Sequence, residues 1–163
     1  MNKKKETTFF GLSTPPGRSA TATIRISGKK TKAVLHRLTS GKIKSPKHRN
    51  STALNIYNKN NNLIDNVLVT FFEGPSSYTG DDLVEIHTHG NPIIISRLYD
   101  ALLDFGLRLA EPGEFTRSAY LNNKIDLIQA ESILSLINSN TKEGVKLSLN
   151  NISGTLSAKT IKM

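Results

Sequence analysis

Two rhythms of hydrophobic and polar positions run along this chain. A two-residue alternation prevails as far as His89, and a three-to-four-residue spacing follows it. Residues 7–13 and 20–27 read as strands joined by TPPGR, a turn in which Pro16 presets φ and Gly17 can take a positive one. Residues 30–38 read as a short helix with Ala33, Val34 and Leu38 at helical spacing, and the basic, polar stretch 41–50 as loop. Residues 52–58 and 63–72 flank Lys59-Asn60-Asn61-Asn62, a hairpin signal resting on asparagine's tolerance of left-handed backbone. Residues 83–89 form a further strand that ends at Gly90.

Beyond it, Asn91 is placed to cap a helix and Pro92 to occupy its first position. Ile94, Ile95, Leu98, Leu102 and Phe105 share one face of that helix, and Gly106 stops it. Pro112-Gly113 marks a turn, residues 115–121 a short helix, and Asn122-Asn123 a break. Asp126 with Gln129 three residues on resembles a capping box opening another helix, which is expected to bury Leu127, Ala130, Leu134 and Ile137 along one stripe. Val145, Leu149, Ile152 and Leu156 carry a last helical pattern, interrupted by Gly154. Two such helices cannot bury their stripes alone, so the pattern implies a truncated helical domain, or one completed by another chain.

Composition narrows the class. With 163 residues, 37% of them hydrophobic and 21% charged, the chain suits one sizeable core, or one domain and part of a second. No apolar run reaches the roughly 18 residues of a spanning helix, and FFGLSTPPG, after the Lys3-Lys4-Lys5 start, lacks the apolar segment of a signal peptide. No membrane association and a cytoplasmic location are therefore expected. The absence of cysteine excludes disulfides, thiolate chemistry and cysteine-ligated metal in these residues. The net charge of +9 is uneven: ten Lys and four Arg stand against Glu6 alone in residues 1–60, a net +13, and the remainder carries −4. That basic first third is either a footprint for RNA or another polyanion, or a solvated surface in a Lys-, Asn- and Ile-heavy sequence. Aromatic residues do not interleave it as in a single-strand binding platform.

Within GPSSYTGDDLVEIHTHGN, residues 74–91, the strand alternation sets Glu85, His87 and His89 on one face with Leu83, while Val84, Ile86 and Thr88 line the other. The apolar face is the core side, so the ionisable trio is expected on an accessible surface or cleft. Three uses stay open for it: a metal site, a structural polar face, or recognition of a small molecule. A metal needs ligands converging within about 2.0–2.2 Å of one ion, whereas alternate strand residues lie ~6.5 Å apart along the axis. Asp81 and Asp82 are the nearest further ligands in sequence.

STPPGR followed by TIRISG, then GPSSYTGDDLVEIHTHGN, then EPGEFTRSAYLNNKIDLIQAES, in this order, resembles the N-terminal part of the MnmE/TrmE family of tRNA modification GTPases over most of residues 7–140. The resemblance implies an α+β fold. A folate-binding and dimerising domain with a mixed or antiparallel sheet would span residues 1–120, and the start of a helical domain residues 121–163. Family members act as homodimers with the flavoprotein MnmG (GidA), placing a carboxymethylaminomethyl-type group on C5 of the wobble uridine, position 34, of certain tRNAs. The resemblance further implies 5-formyltetrahydrofolate or a related tetrahydrofolate as the source of the one-carbon unit. By the same resemblance, folate contacts fall on Arg25 in TIRISG, Glu85 in DLVEIH and Lys124 in LNNKIDL. The residue types suit the ligand: a carboxylate accepts the N–H and amino group along one pterin edge, and Arg25 and Lys124 can meet carbonyl oxygens or an anionic glutamate tail. His87 and His89 are then expected to support the pocket or strand end.

Departures from the family pattern are visible too. Gly90 is followed by Asn91 where a glycine pair is usual, and Gly17-Arg18-Ser19 replaces the usual GRG. No GxxxxGK[ST] occurs: SGKKT and SGKIK lack the upstream glycine and the hydroxyl that a phosphate-cradling loop needs. The C-terminal cysteine motif is also missing, so GTP, K⁺ and Mg²⁺ belong to the full-length family and no GTPase activity is expected of these residues. A basic RNA-binding remnant and a histidine/carboxylate metal protein stand as the alternatives.

Overall fold

The computed structural model describes residues 7–153. Along them run β1 (Phe9–Leu12), β2 (Ser19–Ser27), α1 (Thr31–Leu38), β3 (Ser51–Tyr57), β4 (Leu63–Phe72), β5 (Leu83–Gly90), α2 (Pro92–Asp104), β6 (Arg108–Leu109), α3 (Glu114–Leu121), α4 (Leu127–Asn138) and α5 (Lys142–Ile152). They fall into two units, Met1–Pro112 and Gly113–Met163.

In the first unit the strands form one sheet in the order β3-β4-β5-β2-β1-β6. Every pairing is antiparallel except β1 with β6, which is parallel. The sheet is therefore mixed and the fold α+β, as expected. Strand β6, only two residues long, carries no alternation by which to find it.

Alternation sorts the two faces. Ile24, Ile26, Val67, Val69, Phe71, Val84 and Ile86 are buried in one core together with Val34, Leu35 and Leu38 of α1 and Leu98, Ala101 and Leu102 of α2. Both helices thus cover the same side of the sheet. On α1 the sequence reading is corrected at one position: Leu35 is fully buried and Ala33 exposed, because the stripe facing the sheet runs through Thr31, Val34, Leu35 and Leu38.

Local chemistry fixes the joints. Asn91 caps α2, its side chain accepting from the Ile93 N–H at 2.9 Å, with Pro92 in the first turn. The helix ends in a Schellman pair: Gly106, at φ 79°, donates to the Leu103 carbonyl and Leu107 to that of Leu102. At the β3–β4 hairpin Asn61 takes φ 59°, and the Asn58 side chain accepts from the Asn60 and Asn62 N–H groups. Gly17 has φ 136° in the β1–β2 connection. Gly90 pairs with Ser19, and a Cβ there would lie 2.4 Å from the Ser19 carbonyl oxygen, so the strands approach at a distance only glycine permits.

The second unit holds α3, α4 and α5. Asp126 and Gln129 close the capping box at the start of α4, and Thr141 caps α5. Gln129 Nε2 donates to the Ile152 carbonyl at 2.8 Å, pairing the start of α4 with the end of α5. Ser132 and Ser148 are the buried residues of these two helices, whereas Leu127, Leu134 and Ile137 are more than half exposed. The expected stripe is therefore not a buried face; α4 is apolar on several sides, and the side carrying Gln129, Ser132 and Leu136 is the less exposed one. Gly154 and Leu156, the end of the last helical pattern, lie outside the described residues. Among the described residues no helix is long and apolar enough to cross a membrane.

Candidate functional site

The sheet's other face is polar. In register across it, Ser51, Thr70, Glu85 and Arg25 form one row, and Ala53, Leu68, His87 and Thr23 the next. Antiparallel partners point the same way, so β2 and β5 present Arg25, Glu85, Thr23 and His87 as one patch.

At its centre Arg25 Nε donates to Glu85 Oε1 at 2.8 Å. Their side chains are 35% and 20% exposed, which leaves both accessible. Glu85 Oε2 lies 3.9 Å from His87 Nε2, beyond hydrogen-bond distance, so this oxygen is open to a donor. His87 Nδ1 stands 3.0 Å from the Thr23 hydroxyl, which orients the ring. The Arg25 guanidinium stacks over the Tyr78 ring, 5.8 Å from its centroid. Tyr78 belongs to the loop joining β4 to β5. That loop is pinned by a buried contact of 2.7 Å between the Ser27 and Thr79 hydroxyls and by the bond from Gly74 N–H to Asp82 Oδ1. Leu83, where β5 leaves that loop, is buried on this same face.

His89 is drawn elsewhere. Its Nδ1 lies 2.8 Å from Asp65 Oδ1, its backbone N–H donates to Asp65 Oδ2 at 2.9 Å, and the Thr88 hydroxyl donates to the same oxygen at 2.7 Å. Burial by itself raises the Asp65 pKa, but the bonds accepted from Thr88, His89 and Asn66 outweigh it and hold the carboxyl below its ordinary value. The three ionisable residues of VEIHTHG therefore do not converge on one object: Glu85 and His87 share the patch, and His89 locks the end of β5 to β4. Among the described residues no group of three or more His, Asp or Glu is disposed to hold a metal ion.

Of the three residues expected at a ligand, the fold brings Arg25 and Glu85 into contact. Lys124 is in the second unit, directly after α3. There Asn123 takes φ 55° and the Lys124 N–H donates to the Ala119 carbonyl at 2.8 Å, a Schellman cap that fixes its backbone. Tyr78 and Thr23 were not anticipated. Thr23 could have been found two residues before Arg25 on the same strand face, whereas nothing in SSYTG announces that its tyrosine folds back onto that arginine.

The arrangement offers an open carboxylate oxygen, an oriented guanidinium, an aromatic ring and a threonine-bonded imidazole on one surface. Such a surface accepts an N–H edge while stacking or pairing with the rest of a flat, partly anionic molecule.

Comparison with known proteins gives a consistent result. Residues 8–124 match the family model described as the GTP-binding protein TrmE N-terminus. A tRNA modification GTPase MnmE from Fervidobacterium nodosum is 45% identical over 153 residues, covering 92% of this chain and 33% of that protein. The protein of the same name from Legionella pneumophila strain Paris is 41% identical over 152 residues, 93% of this chain and 34% of its own length. The one from Francisella philomiragia is 41% identical over 150 residues, 92% and 32%. The chain thus spans about a third of the length of the curated relatives it matches.

Proposed function

We propose that this chain, which belongs to the TrmE/MnmE family of tRNA modification GTPases, supplies the reduced-folate site of a tRNA-modifying protein. The observation carrying this reading is the Arg25–Glu85 pair with its open Glu85 Oε2 beside Tyr78. A pterin ring would donate its N–H and amino group to Glu85, and Arg25 would turn its remaining N–H groups to ligand oxygens. Lys124 enters on the resemblance alone. The ligand is 5-formyltetrahydrofolate or another tetrahydrofolate, held as the source of a one-carbon unit.

The wider activity is proposed on the same footing. Acting as a homodimer through the first unit, and with the flavoprotein MnmG, the protein would contribute to a carboxymethylaminomethyl-type modification at C5 of the wobble uridine of tRNA. Phosphate chemistry on GTP would lie in residues other than these.

Titrating 5-formyltetrahydrofolate into the chain by calorimetry tests the site. Glu85→Gln keeps an acceptor and loses the charge; it should weaken binding about tenfold or more, the equivalent of roughly 1.5–3 kcal/mol for a bond to a charged group. Wild-type affinity in Glu85→Ala would sink the assignment.

A further inference from the structure

On the helix-bearing side of the sheet, opposite the Glu85 face, a groove of about 440 Å³ lies between α1, the loop that follows it and the start of β3. Leu35, Val69 and Phe71, all buried, line its apolar base, and Lys42, Lys44 and Lys47 line it from the loop. We infer that this groove is an RNA-binding surface whose three lysines contact backbone phosphates.

Charge is the first support. From residue 7 to residue 64 the sequence holds no Asp or Glu, and the loop adds His48 and Arg49 to the three lysines. No Asp or Glu lines the groove, and Glu73, whose N–H meets the His48 ring, has its carboxylate committed to Lys32 at 2.8 Å. Lys42 rests its ammonium over the Tyr57 ring, while the ammonium groups of Lys44 and Lys47 make no hydrogen bond or ion pair among the described residues. Cations gathered in a concavity without counter-charge raise the local concentration of a polyanion.

The second support is that the loop is held at both ends. His36 Nδ1 lies 3.0 Å from the Ile43 carbonyl, and the Ile43 N–H donates to the Thr39 hydroxyl. At the far end the Arg49 N–H donates to the Phe71 carbonyl at 2.7 Å, and His48 Nδ1 accepts from the Glu73 N–H. The lysines therefore stand on a fixed frame and little order has to be gained on binding. No exposed aromatic lines the groove for base stacking, so the contacts position a nucleic-acid backbone without reading its sequence. The choice of RNA among polyanions rests on the proposed tRNA role; the groove itself does not depend on the folate reading.

Fluorescence anisotropy of labelled bulk tRNA against the full chain, from 50 to about 300 mM KCl, tests this. The Lys42→Ala/Lys44→Ala/Lys47→Ala variant should bind about tenfold or more weakly at low salt, with a log K against log salt slope shallower by about 2–3. The corresponding Lys→Arg variant should stay near wild type, as should Lys142→Ala/Lys146→Ala in the second unit. Unchanged melting by circular dichroism shows that the variants fold. Folate affinity unaltered in the triple alanine variant, and tRNA affinity unaltered in Glu85→Ala, keep this surface separate from the folate site. Wild-type tRNA affinity in the triple alanine variant would overturn the inference. So would an equal loss in Lys142→Ala/Lys146→Ala, or tighter binding to phosphatidylserine vesicles than to tRNA.

Discussion

Arg25 Nε and Glu85 Oε1 meet at 2.8 Å across the β2–β5 ladder, on the sheet face that carries no helix of the first unit. Each offsets the other's charge, yet both stay partly exposed. A pair in this setting contributes about 1 kcal/mol or less to stability. Arg25→Ala should therefore shift urea unfolding only slightly while reducing 5-formyltetrahydrofolate affinity about tenfold. An unfolding loss of several kcal/mol with affinity intact would reverse this and make the pair a structural clamp.

His87→Ala should leave folate affinity within about twofold, because its ring is held by Thr23 and stands 3.9 Å from Glu85. Titration with Zn²⁺ is the companion measurement: a stoichiometry near one that disappears in His87→Ala and His89→Ala would restore a metal role to this strand.

Asp65 should matter to stability rather than to binding. Its carboxylate accepts from the Thr88 hydroxyl and the His89 N–H in a buried setting, so Asp65→Ala is expected to cost about 1–3 kcal/mol at pH 7 by leaving those donors unpaired. The pH dependence follows from the lowered folded pKa. The ionised carboxyl's contribution is fully present above the unfolded value near 3.8 and is lost as pH falls through the lower folded value. The ionisation-linked part of the gap between wild type and Asp65→Asn in urea melts should thus be constant from pH 7 to about 5 and shrink below about 4. A gap that widened on acidification would contradict it.

Gly90→Ala places a methyl against the Ser19 backbone, with its carbon 2.4 Å from the carbonyl oxygen. Forcing β2 and β5 apart there should cost about 1–3 kcal/mol in thermal or urea unfolding. Gly17→Ala meets no atom within 4 Å and is strained only through its φ of 136°. Comparing the two separates contact from backbone conformation.

A fluorescent GTP analogue should show no saturable binding to these residues, since a phosphate cradle needs the glycine-rich loop, lysine and hydroxyl that SGKKT and SGKIK do not supply. Micromolar affinity reversed by unlabelled GTP would show that another phosphate site exists here.

Wherever a decision rests on neighbours along the chain, the residues declare it. The two-residue period placed Glu85 opposite Val84 and Ile86, Asn91-Pro92 announced the start of α2, and Asp126 with Gln129 the start of α4. Such features depend on backbone geometry and hydrogen bonds spanning at most four residues, so local sequence contains both partners.

Tertiary structure alone decided what those elements meet. His89 leaves the Glu85 face for Asp65, 24 positions away, because β4 packs beside β5 and turns that carboxylate inward at the bulge near Ile64. Strand β6 exists only because β1 offers it an edge, and Tyr78 reaches Arg25 only because the loop is tied back to β2 through the neighbouring Thr79 and Ser27 hydroxyls. On α4, several apolar stripes compete, and pairing with α5 favours the one through Ser132 over the one through Leu134. Each choice compares burial and hydrogen bonding among segments far apart in sequence, and no periodicity within one segment encodes which partner will cover it.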